Sequence, residues 1–97
     1  MQIFLHKFGT TLTSRQLGKE AYAAFRPRLS ELKENETLEI DFQGVNTFSP
    51  SWGDEFLRPL IETYGKKVTL LHTKNASVQA TLSLLEDIGS MKFHIVD

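Results

Sequence analysis

Short apolar-rich segments typical of strands alternate along this chain with segments that have the 3.6-residue period of helices. The order is βαβαβαβ. Strands are predicted at residues 3–8, 37–42, 68–72 and 91–96, and helices near residues 13–32, 50–64 and 75–88. Such alternation favours right-handed crossovers and a largely parallel four-stranded sheet. We therefore predict an α/β fold.

The second predicted strand indicates how that sheet is covered. Leu38, Ile40 and Phe42 alternate with Glu39 and Asp41. A parallel sheet that is covered on both faces has continuous apolar strands instead. We therefore predict helices mainly on one face, with the other face largely open. A length of 97 residues suits a single domain, residues 1–97.

The helix signals predict individual roles. Thr13 is the predicted N-cap of the first helix, and Gln16 would complete a capping box. Pro27 and Pro59 predict kinks or early ends, and Gly65 predicts the end of the second helix. The residues predicted to face the core are Leu17, Ala21, Ala24, Phe25, Leu29, Leu32, Phe56, Leu57, Leu60, Ile61, Tyr64, Val78, Leu82, Leu85 and Ile88.

Composition and charge exclude several classes of function. The net charge is −1 with acids and bases interspersed, which argues against a nucleic-acid partner. The chain has no cysteine, so disulfides and thiolate chemistry are excluded. Its start does not resemble a signal peptide, and no apolar stretch approaches the roughly 20 residues that span a bilayer. We expect a cytoplasmic protein of bacterial type, without a membrane partner or cofactor.

The sequence offers no set of residues typical of catalysis. His6, His72 and His94 fall on separate predicted strands, without the spacing of metal ligands. No glycine-rich loop matches a phosphate- or dinucleotide-binding motif, and no nucleophile, base and orienting group can be assigned. Asp41 ends a strand, where bonding to loop amides is favoured over action as a base. We therefore expect no metal site and no enzymatic activity.

The turn between the second strand and the second helix is the predicted working surface, because function in open α/β sheets concentrates at the carboxyl ends of strands. Pro50 fits the first helical position, which makes Ser49 the N-cap. Ser51 then faces solvent at the second helical position. A phosphate there would meet free amides and the positive end of the helix dipole. Ser51 is therefore the candidate phosphoacceptor, and the candidate partner contacts are Thr47, Trp52, Asp54 and Glu55.

Two stretches around this turn, LEIDFQGV at residues 38–45 and FSPSWGDE at residues 48–55, resemble the STAS-like domains of the DUF4325 group. Residues 12–21 and 80–82 are similar too. The resemblance implies the fold of anti-sigma-factor antagonists, with helices on one face of a four- or five-stranded sheet. In the better-known members a kinase of the GHKL ATPase type phosphorylates a serine at the start of the second helix. The dephosphorylated form binds that kinase and frees a sigma factor.

The familiar phosphorylation motif is Asp-Ser-Ser-Gly, whereas this chain has Pro50-Ser51-Trp52-Gly53. Ser51 is the nearest match. Our first hypothesis is therefore a regulatory module that binds a kinase-like or sensor partner, or an anti-sigma factor, and is switched by phosphorylation of Ser51. The second is a constitutive adaptor or small-ligand module on the same fold, without phosphorylation. It predicts that Ser51→Ala is silent and that Trp52→Ala disrupts binding.

Overall fold

A computed structural model describes residues 1–96. Its α-helices are α1 (Arg15–Phe25), α2 (Pro50–Tyr64) and α3 (Ala76–Asp87). Its strands are β1 (Gln2–Phe4), β2 (Thr11–Leu12), β3 (Leu38–Asp41), β4 (Thr47–Phe48), β5 (Val68–Leu71) and β6 (Ile95–Val96). Short 3-10 helices cover Leu5–Phe8, Arg26–Glu31 and Gly65–Lys67.

Within the described residues the main sheet has the strand order β1-β3-β5-β6, and all of its neighbouring strands are parallel. This confirms the predicted α/β class and the largely parallel four-stranded sheet. A second, two-stranded parallel sheet joins β2 to β4. This small sheet was not predicted from the sequence, because each of its strands has only two residues.

The core lies on one face of the main sheet. Ile3, Ile40 and Leu70 are neighbours across three strands and are buried. They belong to one apolar cluster with the inner faces of all three helices. Glu39 and Asp41 point to the other face and stay partly exposed, as the alternation in β3 predicted.

The start of α1 differs from the prediction. Ser14, rather than Thr13, is the N-cap, and its hydroxyl accepts a hydrogen bond from the amide of Leu17 at 3.1 Å. The pairing of β2 with β4 keeps the chain extended to this point, and the Thr13 carbonyl accepts a bond from Ser49. The predicted capping box with Gln16 is therefore wrong.

Three residues predicted to face the core are exposed: Leu17, Ala24 and Ile88. In α1 the inner face runs through Gly18, Ala21 and Phe25 instead. The prediction missed this rotation because a glycine does not count as apolar, although Gly18 packs against the backbone of Trp52 in α2. Ile88 lies beyond the last residue of α3, where the chain has left the core-facing surface.

Other predicted boundaries hold in part. The α-helical part of α1 ends two residues before Pro27 and continues as a 3-10 helix, in agreement with the predicted early end. The bounds of α2 are those predicted, Pro59 lies inside it, and Gly65 terminates it with a φ of 51°. The first and last strands are shorter than predicted. After Phe4 the chain turns into a 3-10 helix that buries Leu5. No helix of residues 1–96 is both long and apolar enough to cross a membrane.

Candidate functional site

The turn that leads into α2 is held in place from the side of α1. Strand β4 pairs with β2, and the Ser49 amide donates to the Leu12 carbonyl at 2.9 Å. The Ser49 hydroxyl donates to the Thr13 carbonyl at 2.8 Å. Thr47 is exposed, whereas Phe48 is buried. The turn therefore presents Thr47 outward from a backbone that both neighbouring segments fix.

Polar side chains of α3 hold the same turn from the other side. Asn75, the N-cap of α3, donates to the carbonyl of Val45 at 2.9 Å. Ser77 accepts a bond from the Phe48 amide at 3.0 Å, and the buried Thr81 hydroxyl donates to the Phe48 carbonyl. These roles were not predicted from the sequence. The position of Thr81 on an otherwise apolar helix face could have indicated its role, because a buried hydroxyl needs a hydrogen-bond partner.

We expect Thr81→Val to destabilise the protein by about 1 kcal/mol, because the variant keeps the shape of the side chain and loses the bond to the Phe48 carbonyl. Amide exchange at Phe48 and Ser49 should also accelerate. Urea unfolding and hydrogen exchange measure the two effects. The exposed Thr63 provides a matched control, since Thr63→Val should change stability by less than about 0.5 kcal/mol. Equal effects of the two substitutions would contradict a supporting role for Thr81.

Ser49 is the N-cap of α2, as predicted. Its hydroxyl accepts a bond from the Trp52 amide at 3.4 Å while it donates its own proton to the Thr13 carbonyl. Pro50 occupies the first helical position, where its missing N–H leaves no donor unpaired. The hydroxyl of Ser49 is thus committed to holding the turn.

Ser51 occupies the second position of α2 and is half-buried. Among residues 1–96 its side chain has no hydrogen-bond partner. The amides of Trp52 and Gly53 both bond to Ser49, which leaves the Ser51 amide as an unpaired donor of the first turn within the described part of the chain. The Ser51 hydroxyl is therefore not used for capping, as predicted, but Ser51 is half-buried, whereas the sequence predicted that it faces solvent.

Trp52 does not lie on the surface. It is 1% exposed and stacks on Phe56 with ring centroids 4.9 Å apart and planes 21° apart. The rings of Phe8 and Phe48 lie within 6.1 and 5.9 Å of it. Because Trp52 and Phe56 are four residues apart, they share the inner face of α2. The prediction that Trp52 contacts a partner is wrong, since its ring anchors α2 in the core.

A cluster of four charged side chains covers the outer surface of α2. Nη1 of Arg15 lies 3.0 Å from Asp54 and 2.9 Å from Glu55. Nε of Arg58 lies 2.7 Å from Asp54, and its Nη2 donates to the Gly89 carbonyl at 2.9 Å. The cluster links the start of α1 to the end of α3 through α2. The two acids were predicted from the sequence and the arginines were not, although Asp54 and Arg58 have the spacing of a helical ion pair.

Two opposing effects set the pKa of Asp54. Partial burial disfavours its charged form and raises the pKa, but hydrogen bonds from Arg58 and Arg15 outweigh that effect and hold the pKa below 3.8. Because the pKa of Asp54 is lower in the folded than in the unfolded protein, its ionised carboxylate stabilises the fold, and this stabilisation is complete above the unfolded-state pKa. It is lost as the pH falls through the folded-state pKa.

We therefore expect Asp54→Asn to destabilise the protein at pH 7 by about 1 kcal/mol. The difference from the unsubstituted protein should shrink as the pH falls from about 4 to about 2, where the aspartate itself becomes neutral. Urea unfolding across this pH range measures both effects. A difference that stays constant with pH would show that Asp54 does not act through its charge.

Asp41 and the histidines do not form a further site within the described residues. Asp41 accepts bonds from the Gln43 amide at 2.9 Å and from the Gln2 side chain at 3.0 Å, which confirms its predicted role in the loop. His6 lies within hydrogen-bond distance of the Gln43 carbonyl. Across residues 1–96 no three histidine or carboxylate side chains form a group that could hold a metal ion.

A groove of about 240 Å³ lies beside the charged cluster, between α2 and α3. We call it the α2–α3 groove. Its lining residues are Arg15, Pro50, Asp54, Arg58, Leu84, Leu85, Ile88 and Gly89. Leu84 and Ile88 are 40% and 77% exposed. An apolar strip therefore adjoins the charged cluster on the outer surface of α2 and α3.

Comparisons with known proteins give a family and no individual relative. A family model described as a STAS-like domain of unknown function, DUF4325, matches residues 23–80. Neither the curated proteins nor the solved structures that were compared with the chain contain a match. The matched segment is more than half of the chain and includes β3, the turn, α2 and β5. The chain therefore belongs to the DUF4325 family of STAS-like domains.

Proposed function

We propose that this domain is a regulatory protein-interaction module that binds a kinase-like or sensor partner through the α2 surface. That surface consists of Thr47, Ser51, Asp54, Glu55 and Arg15. The observation that carries the proposal is the division of roles between the two serines of the turn. Ser49 caps the helix with both of its hydrogen-bonding functions, and the Ser51 hydroxyl stays free for modification or for a partner.

The charged cluster supports a switch at Ser51. Residues three and four positions apart share a helix face, so Ser51 lies on the same face as Asp54 and Glu55. Both carboxylates are already paired with Arg15 through a single guanidinium nitrogen. The other nitrogens of Arg15 remain as donors for a phosphate, which offsets the repulsion from the two acids.

Phosphorylation would make this neutral surface negative. The pairs of Arg15 and Arg58 with Asp54 and Glu55 are balanced in charge. A phosphate on Ser51 adds about 1.5–2 negative charges at neutral pH. We propose that the unmodified surface binds the partner, a GHKL-type ATPase or an anti-sigma factor, and that the phosphate weakens the complex by repulsion and altered hydrogen bonding.

The first experiment is incubation of the protein with a GHKL-type ATPase and ATP, followed by localisation of phosphate by mass spectrometry. We expect one phosphate, on Ser51, that is absent from Ser51→Ala. Ser83, an exposed serine of α3, provides the control, and Ser83→Ala should leave the phosphate in place. Phosphate on Ser49 or Ser83 instead of Ser51 would contradict the proposed switch.

The second experiment measures partner affinity by calorimetry. Ser51→Asp should weaken binding by about tenfold, because a charge that disrupts a complementary interface costs on the order of 1.4 kcal/mol or more. Ser83→Asp adds the same charge elsewhere and should leave the affinity unchanged. Equal affinities for the two aspartate variants would exclude Ser51 from the interface.

One observation favours the second candidate function, a constitutive adaptor. Leu84 and Ile88 expose apolar surface beside the charged cluster, and such an arrangement binds a partner without any modification. The adaptor predicts that Ser51→Ala and Ser51→Asp both bind normally, whereas Ile88→Asp abolishes binding. The switch predicts that Ser51→Asp weakens binding.

A further inference from the structure

A second groove lies at the end of the molecule opposite Ser51. It is formed where α2 ends and where β5 and β6 begin, and its volume is about 300 Å³. We call it the basic groove. Its lining residues are Ile61, Gly65, Lys66, Val68, Lys92, Phe93 and His94. With 15 residues, α2 separates this groove from Ser51 by about 20 Å. It is therefore independent of the α2 surface.

The floor of the basic groove is apolar and accessible. Val68 is buried, while Ile61 and Phe93 are half-buried and pack against the core from its edge. Gly65 borders the groove, and a Cβ atom added there would have no neighbour within 4 Å. Open space therefore lies beside Gly65, at the border of the apolar floor.

Two lysines and one histidine are the ionisable side chains that line the basic groove within residues 1–96. Lys66, Lys92 and His94 are exposed, and no carboxylate of the described residues lines the groove. Within residues 1–96 none of the three takes part in an ion pair. The nearby Glu86 carboxylate accepts a bond from the Phe93 amide at 3.1 Å. In a chain whose net charge is −1, two lysines without an ion pair beside a histidine make the groove a local exception.

The dipole of α2 explains the position of only one of the two lysines. Lys66 follows the helix end, where a positive charge is stabilised by the terminal carbonyls. Lys92 and His94 belong to the segment before β6, beyond α3, and do not cap α2. Their convergence with Lys66 on one apolar groove therefore needs a different explanation.

We propose that the basic groove binds an acidic peptide segment of a protein partner, which places one large apolar side chain on the floor and carboxylates against the rim. An acidic peptide is proposed because its carboxylates complement the positive charges of Lys66 and Lys92. The groove is open at the surface and adjoins the edge strand β6, so a chain can enter and leave on either side of one anchoring residue. This surface is additional to the α2 surface and does not depend on phosphorylation.

The test uses the full chain and a fluorescent peptide, Asp-Asp-Phe-Asp-Asp. Titration is followed by anisotropy and by amide chemical-shift mapping. We expect saturable shifts at Gly65, Lys66 and residues 92–94, with little change at Ser51. The peptide Asp-Asp-Ala-Asp-Asp should bind at least tenfold more weakly because it lacks the aromatic anchor, and Lys-Lys-Phe-Lys-Lys should not bind.

The variant Lys66→Glu/Lys92→Glu should weaken the acidic peptide by about tenfold or more. The matched control is Lys19→Glu/Lys74→Glu, which makes the same change in net charge at exposed lysines away from the groove and should bind normally. Thermal unfolding verifies that both variants fold. Equal binding by the two double variants, no shifts in the groove at millimolar peptide, or occupation by octanoate but not by the peptide would each overturn the proposal.

Discussion

Trp52→Ala is expected to destabilise the protein by about 3–5 kcal/mol, the range for removing a large aromatic side chain from a core. Trp52 is 1% exposed and contacts three other aromatic rings, of Phe8, Phe48 and Phe56. A domain of this size has a total stability of about 5–15 kcal/mol. The substitution therefore removes a large part of the free energy of unfolding.

Urea unfolding measures this loss, and Leu84→Ala is the control because Leu84 is 40% exposed and should cost less than about 1 kcal/mol. Trp52→Phe retains one stacked ring and should keep both the fold and partner binding. If Trp52→Ala left the free energy of unfolding unchanged but abolished partner binding, Trp52 would belong to the interface and not to the core.

Gly18→Ala is expected to destabilise the protein by about 1–3 kcal/mol, although alanine favours a helix over glycine by about 1 kcal/mol. A Cβ atom on Gly18 would lie 2.8 Å from the carbonyl oxygen and 3.0 Å from Cα of Trp52. Both atoms belong to the backbone of α2, so neither can move without shifting that helix. The contact between α1 and α2 must therefore open.

The neighbouring exposed residue provides the control, since Lys19→Ala should change stability by less than about 0.5 kcal/mol. Thermal and urea unfolding of both variants measure the difference. The separation of α1 from α2 should also strain the bond between Arg15 and Asp54, so Gly18→Ala should reduce the pH dependence attributed above to Asp54. A Gly18→Ala protein that is more stable than the unsubstituted one would contradict the close packing of these helices.

The parts of the fold that follow from local patterns were predictable. The bounds of α2 follow from Pro50 at its start and Gly65 at its end, and the exposure of Glu39 and Asp41 follows from the alternation in β3. The roles of Ser49 and Asp41 are local too, because each bonds to backbone within a few residues. These features depend on short-range physics that a single sequence carries.

The parts that depend on tertiary contacts were not predictable. Trp52 lies in the first turn of α2 beside polar residues, and its contacts with Phe8 and Phe48, which lie outside the helix, help to place it in the core. Gly18 has no side chain to contribute to an apolar pattern, yet it lies on the inner face of α1. Arg15 meets Asp54 across 39 residues of sequence. No local pattern in the sequence indicates a pairing of residues so far apart.

The most direct test is chemical-shift mapping of the isotope-labelled protein in complex with its partner. The partner is the protein that phosphorylates Ser51 or that binds the unmodified domain in the experiments above. The account predicts that the perturbed amides cluster at Thr47, Ser51, Asp54, Glu55 and Arg15, and that Ser51→Asp weakens the complex while Ser83→Asp does not. Perturbations confined to the open face of the sheet, at Glu39 and Asp41, would contradict the assignment of the α2 surface.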